Sequence, residues 1–230
     1  MYIKLLDNKS LRIIILSLLL IIVLIRSIDA QLSGQYTIGE MGDFPDIQKA
    51  CDSLRAVGVS SPVVFDIKTG IYEQNFTVGY INGASEENTI TFQSESGDTA
   101  DVIVKYEATD LEDNYIVKID NSSHLIFQNI TFQAVGAQYG GIVHFENYSE
   151  NIQFRGNHFL GIENTNNRAE LSAILVKDMN LRNLVIENNH FEGASHGILI
   201  NPGWNKSNVN PIIRNNLFQN IGYVGIYFIK

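Results

Sequence analysis

The sequence predicts an all-β protein: a right-handed parallel β-helix closed at its N-terminal end by one α-helix. Three observations predict it. Four segments align without gaps: Leu125–Phe132, Ile152–Phe159, Leu184–Phe191 and Pro211–Phe218. Their closing phenylalanines, Phe132, Phe159, Phe191 and Phe218, are spaced 27, 32 and 27 residues apart. The connecting turns are rich in Asn and Gly rather than helical. A period of roughly 20–50 residues built from short strands and polar turns is the signature of a stacked solenoid. Non-helical turns select a β-helix over leucine-rich or helical repeats.

The columns implied by the alignment agree with stacking. Phe127, Phe154, Ile186 and Ile213 share one position and the four phenylalanines another, which gives two apolar columns for the interior. At the corner stand Asn129, Gly156, Asn188 and Asn215, residue types that tolerate a left-handed backbone. Beside them Asn157, Asn189 and Asn216 repeat, and amides stacked at strand spacing can bond to one another along the column. The outward neighbour runs Gln128, Arg155, Glu187, Arg214, an order that avoids stacking like charges.

The elements follow in chain order. Lys4, Lys9 and Arg12 precede an apolar run from Ile13 to Ile25, too short for the roughly 20 residues that span a bilayer. With the small residue Ala30 after it, the stretch 1–30 is expected to be a secretory signal cleaved before Gln31. A helix is expected at about 45–57, because Ile47, Ala50, Cys51 and Leu54 lie on one face of a 3.6-residue period. Pro45 suits its first turn, Asp43 and Asp46 its positive end, and Gly58 its close. Strands are expected at 63–67, 75–78, 89–93, 102–105 and 115–119, followed by the repeat. After each closing phenylalanine comes a second apolar strand: 141–143, 173–175, 197–199 and 225–227. The helix would cover the open end of the stack. The chain stops at Tyr227-Phe228-Ile229-Lys230, inside an expected strand, so residues 31–230 are expected to be the N-terminal part of a longer β-helix.

Composition narrows the function. The 230 residues are 45% hydrophobic and 18% charged, an ordinary folded chain. The net charge is −9; without residues 1–30, twelve basic and twenty-three acidic residues leave −11. That balance argues against nucleic acid and against an anionic membrane as partner. One cysteine, Cys51, excludes an internal disulfide and Cys-based zinc or iron–sulfur sites. Sequons begin at Asn75, Asn121, Asn129, Asn147 and Asn205, and they matter only in a glycosylating host.

The stretch Gly42-Asp43-Phe44-Pro45-Asp46-Ile47-Gln48-Lys49-Ala50, followed by Val64-Phe65-Asp66-Ile67 and Gly70-Ile71-Tyr72-Glu73, resembles the opening of the pectin-lyase-like superfamily, pectin methylesterases in particular. With Tyr36-Thr37-Ile38-Gly39 and Asn88-Thr89-Ile90-Thr91-Phe92-Gln93-Ser94, the chain is more similar still to large secreted β-helix repeat proteins of Bacteroidota-type bacteria. The resemblance implies fold and a secreted setting; it does not imply activity. Methylesterases are known for a coil resembling F-L-G-Y-Q-D-T whose aspartate is the general acid. Phe159-Leu160-Gly161-Ile162-Glu163-Asn164-Thr165 places Asn164 there, and an amide cannot donate and recover a proton. Their nucleophile motif G-x-V-D-F is met by Gly193-Ala194-Ser195-His196-Gly197, with histidine in place of aspartate. Their Q-A-V-A-L strand falls on Gly140-Gly141-Ile142-Val143-His144, which lacks the glutamine. An active methylesterase is not expected.

Other candidates are weighed on their own chemistry. His196 could be a general base with Glu192 or Asp178. Lys177, Asp178 and Arg182 could serve lyase chemistry, but Asp178, Glu187 and Glu192 are too scattered to cage Ca2+, so no cofactor is expected. His158 and His190 share a repeat position; with Thr131 and Leu217 as neighbours they are expected to be a side-chain ladder, and no metal site is expected. Two insertions remain, 162–171 with Glu163 and Arg168, and 201–210 with Trp204, Asn205 and Lys206. Loops projecting from a rigid solenoid build binding surfaces, and a tryptophan flanked by Asn and Lys suits a sugar ring. The expectation is therefore a secreted or cell-surface, non-catalytic scaffold, adhesion or carbohydrate-contact domain, with a polysaccharide or surface glycan as partner. The competing expectation is a pectin or uronate lyase, hydrolase or esterase-like enzyme whose site lies partly beyond Lys230.

Overall fold

The computed structural model describes Lys9, Arg12, and residues 15–17, 31–136, 138–163, 165–203 and 210–229. The chain divides into two units, Met1–Ala30 and Gln31–Lys230. Among the described residues no helix is long and apolar enough to cross a membrane.

The second unit is a right-handed parallel β-helix of about seven coils, as expected, built from three sheets. The first sheet holds Leu32–Ile38, Val59–Ile67, Ile90–Ser94, Ser123–Gln128, Tyr148–Arg155, Asn180–Glu187 and Ile212–Arg214. The second holds Gly70–Glu73, Val102–Glu107, Thr131–Val135, His158–Leu160, His190–Glu192 and Leu217–Gln219. The third holds Phe76–Val78, Val117–Asp120, Val143–Glu146, Ser172–Lys177, His196–Asn201 and Val224–Phe228.

The repeat alignment is the observed register. Phe154 pairs with Phe127 and Ile186, Ile186 with Ile213, and Phe159 with Phe132 and Phe191. Inside, Phe65, Phe92, Phe127 and Phe154 stack with centroids 4.9, 5.4 and 5.3 Å apart. Phe132, Phe159, Phe191 and Phe218 form a second stack at 5.6, 4.8 and 4.9 Å. Burying each ring contributes about 2–3 kcal/mol, so these columns are the main apolar axis of the fold.

At the corner between the first and second sheets, Asn129, Gly156, Asn188 and Asn215 all have φ between 55° and 62°. Next to them the amide ladder forms. Asn157 Nδ2 donates to Asn189 Oδ1 at 3.1 Å, and Asn189 Nδ2 to Asn216 Oδ1 at 3.0 Å. Each side chain also serves the backbone: Asn189 Oδ1 accepts the Asn157 N–H, and Asn189 Nδ2 donates to the Phe154 carbonyl. The polar groups buried at this corner are thereby satisfied.

Three details depart from the expectations. The helix is Ile47–Val57, not 45–57. Asp46 is its N-cap, accepting from the Lys49 N–H at 2.8 Å, and Asp43 is drawn away to the Thr37 N–H and hydroxyl. Its expected face is the buried one, and Gly58 closes it at φ 71°. The second strand begins at Val59 rather than Val63. Pro62, which has no N–H to give, sits where the pairing with Leu32–Ile38 skips register, from Leu32↔Val59 to Gly34↔Val63. In the third sheet Val143, not Ile142, pairs with Ile174.

Candidate functional site

The outward face of the first sheet is occupied by its own ladder. Gln35 and Gln93 donate to the two oxygens of Asp66, the latter at 2.7 Å, and Gln128 donates to Gln93 at 2.9 Å. Further along, Glu187 lies between Arg155 at 3.2 Å and Arg214 at 2.6 Å. Asp66 and Glu187 are buried by these partners. Carboxylates held this way hold the coils in register and are poorly placed for proton transfer to a polymer.

The third sheet is different. Its outward positions run Lys118, His144, Leu175, Leu199 and Tyr227, each paired with the next. The Lys118 ammonium sits 4.6 Å from the Tyr115 ring centroid. Burial, and then the Lys118 charge, push His144 down to about 4, so this imidazole is neutral at physiological pH.

Both insertions border this sheet. Lys177 pairs with Asn201, the residue from which the 201–210 loop departs, and the Asp178 N–H donates to the Asn201 carbonyl at 2.9 Å. Gly203 lies so close to Asp178 that a Cβ there would meet Oδ1 at 2.7 Å. Two candidate groups that looked separate in the sequence, Lys177-Asp178 and the root of the tryptophan loop, are therefore neighbours. Trp204, Asn205 and Lys206 themselves lie outside the described residues, as does Asn164.

At the other end of these strands the 162–171 insertion is tied down. Arg168 Nε donates to Glu170 at 2.8 Å, its guanidinium reaches the Gln138 carbonyl at 3.4 Å, and its N–H donates to Ser195 Oγ at 3.2 Å. Arg168 thus braces three successive turns. Glu163 is exposed.

His196, expected as a candidate base, has no exposed surface and packs against Tyr223 and Tyr227. Burial lowers its pKa, with the Arg168 backbone acting the other way. A proton taken there would have no open route to a polymer in solvent. Glu192 is not its partner: it belongs to the second sheet, while Asp178 follows a strand of the third and Glu187 lies on the first.

On the second sheet His158 and His190 are direct neighbours, as expected, their rings stacked 4.5 Å apart and 4° from parallel. Sequence reasoning missed the third member. Glu192 stands two residues along from His190, on the same face of the strand, and its Oε2 is 3.4 Å from His158 Nε2. One ligand atom from each of the three lies within 4.8 Å of the others. The period-two spacing His190-Phe191-Glu192 was the available signal; reasoning along the column alone reached Thr131 and Leu217 instead.

No family model matches the chain, and no curated protein matches it. Two solved structures do, both of the pectin methylesterase from Aspergillus niger, one deglycosylated and one penultimately deglycosylated. Each is 21% identical, with TM-scores of 0.52 for the penultimately deglycosylated form and 0.50 for the other. The match covers 75% of this chain and 54% of that one, so this chain spans about half the length of the enzyme it matches. That likeness, with the three parallel sheets, identifies the fold alone: the chain is a parallel β-helix similar in fold to that pectin methylesterase.

Proposed function

We propose that this chain is a non-catalytic β-helix domain of a secreted or cell-surface protein, and that it contacts a polysaccharide along its third sheet. The observation that carries the proposal is the Lys177–Asn201 pairing, which roots the tryptophan loop beside Lys177 and Asp178 on the sheet whose other end is braced by Arg168. Half-buried Leu175 and exposed Tyr227, on either side of buried Leu199 and with basic residues nearby, offer apolar surface for sugar rings and donors for hydroxyls. Glu163 is exposed on the first loop, and Trp204, Asn205 and Lys206 are assigned to the contact on the sequence alone.

The structures of like fold are named for pectin, so pectic polymers are the first ligands to test. The net charge of −11 without residues 1–30 opposes a fully de-esterified, polyanionic chain. Screening over about 8 Å at physiological salt leaves the local charges to decide, Lys177 together with Lys118 and Arg168, which pair with Glu146 and Glu170. The secreted setting takes residues 1–30 as a signal, on the basic residues, the short apolar run and Ala30 in the sequence.

The test is retention on immobilised pectins of graded methylation and on neutral glycans, with products assayed alongside. Retention lowered at least tenfold by Trp204→Ala or Lys177→Ala, without product, supports the reading. Released methanol, new reducing ends or new double bonds would establish a polysaccharide-acting enzyme instead. Unchanged retention in both variants would remove the third sheet from consideration.

A further inference from the structure

We propose that His158, His190 and Glu192 form a binding site for a divalent transition-metal ion on the outward face of the second sheet. The inference does not rest on the polysaccharide reading, which concerns a different sheet.

The placement follows from the register. His158 and His190 stand opposite each other on adjacent parallel strands, which brings their rings into a stack at 4.5 Å. Two residues beyond His190, the pleat returns Glu192 to the same face, with Oε2 3.4 Å from His158 Nε2. Three ligand atoms no more than 4.8 Å apart share a centre within about 2.8 Å of each, against the 2.0–2.2 Å of zinc–nitrogen and zinc–oxygen bonds. Closing that gap requires the two rings to turn out of their parallel stack, because each imidazole nitrogen coordinates along a lone pair in its ring plane.

A second observation points to a ligand. His190 Nε2 is shielded from solvent and has no hydrogen-bond partner, and His158 Nε2 has only Glu192 at 3.4 Å; both histidines border an open cleft of about 310 Å³. A shielded ring nitrogen without a protein partner contrasts with the neighbouring Asn157 and Asn189 amides, whose groups are engaged.

The donor set names the class of ion. Two imidazoles and one carboxylate favour Zn2+, Ni2+, Cu2+ or Co2+ over Ca2+ or Mg2+, which take oxygen ligands. Three protein ligands leave a coordination position towards the cleft, whose rim carries the Asn188 and Asn215 side chains.

Titration of the tag-free chain with Zn2+ alone, followed by calorimetry at pH 7.5, tests the site. The expected result is one ion per chain with a Kd near or below about 10 µM, binding that weakens below pH 6, and no heat with Ca2+. His158→Ala and His190→Ala should each weaken binding at least thirtyfold. Glu192→Gln, which keeps the side-chain volume, should weaken it about tenfold while leaving the thermal midpoint without zinc unchanged. In parallel, Co2+ should give visible d–d absorption in the wild type and none in the His158→Ala, His190→Ala double variant. Absence of binding at 100 µM Zn2+, or binding retained in the double variant, would overturn the proposal.

Discussion

The side-chain amide of Asn189 joins three coils at once. Its Oδ1 accepts both the N–H and the Nδ2 of Asn157, at 2.8 and 3.1 Å, and its Nδ2 donates to the Phe154 carbonyl and to Asn216. The residue is buried, so the Asn157 N–H and the Phe154 carbonyl lose this partner if the amide goes, while Asn157 Nδ2 keeps the Phe127 carbonyl. Leaving such a group unsatisfied costs about 1–3 kcal/mol. Asn189→Ala is therefore expected to cost about 3 kcal/mol or more. At 2–4 °C per kcal/mol for a chain of this size, the midpoint should fall by roughly 6–12 °C in differential scanning calorimetry. A fall under 2 °C would show that water replaces the ladder.

The aromatic column makes a second, graded prediction. Phe154 stacks on Phe127 at 5.3 Å and meets Phe159 edge-on at 5.7 Å, with no exposed surface. Phe154→Ala should cost about 3–5 kcal/mol, read as a lowered urea midpoint. Phe218 ends the other column in a partly exposed position, so Phe218→Ala should cost less. Equal losses would contradict the packing described.

Acid should weaken the fold through histidine. His144 titrates at about 4 in the folded chain, against 6.5 unfolded, because burial and then Lys118 disfavour its charge. Between those values the unfolded chain binds the extra proton. Stability is then full above about pH 6.5 and declines as pH falls towards 4, by up to about 3 kcal/mol from this residue. Urea midpoints at pH 7 and pH 4.5 should differ less in His144→Leu than in the wild type. His158 and His196 are lowered in the same direction, chiefly by burial, so part of the slope will persist.

Glu187 stands between two arginines whose side chains are 46% and 62% exposed, Arg155 and Arg214. Glu187→Ala leaves the two cations facing one another. Because both are well solvated, the loss should be about 1–2 kcal/mol, smaller than for a fully buried pair. Raising the salt to 1 M should shrink the difference from wild type, and Glu187→Gln should cost less than the alanine change.

Much of this architecture was legible because the corner residues repeat in kind. Asn129, Gly156, Asn188 and Asn215 fixed where each coil turns, and the phenylalanines one side of them fixed the register. The third sheet was harder. Ile142 and Val143 are adjacent, both apolar and both fully buried, so alternation gave no parity and the pairing was displaced by one residue. The strand expected from Val63 begins at Val59, because the register shift opposite Leu32 and Gly34 accommodates Pro62, which has no N–H. The site was legible only in pieces. Lys177 and the loop after Asn201 are 24 positions apart in sequence, and only the stacking of coils makes them neighbours. Glu192 was assigned to the wrong histidine, because sequence proximity to His196 outweighed the pleat that turns it towards His158.

The amide corner has a direction. The N–H of Ile130 is accepted by Asn157, that of Asn157 by Asn189, and that of Asn189 by Asn216, so the acceptor always comes from the following coil. A coil emerging from the ribosome leaves its corner open until 27 or 32 further residues have been made. Each turn of this stack is thus completed by the one that follows it in the chain.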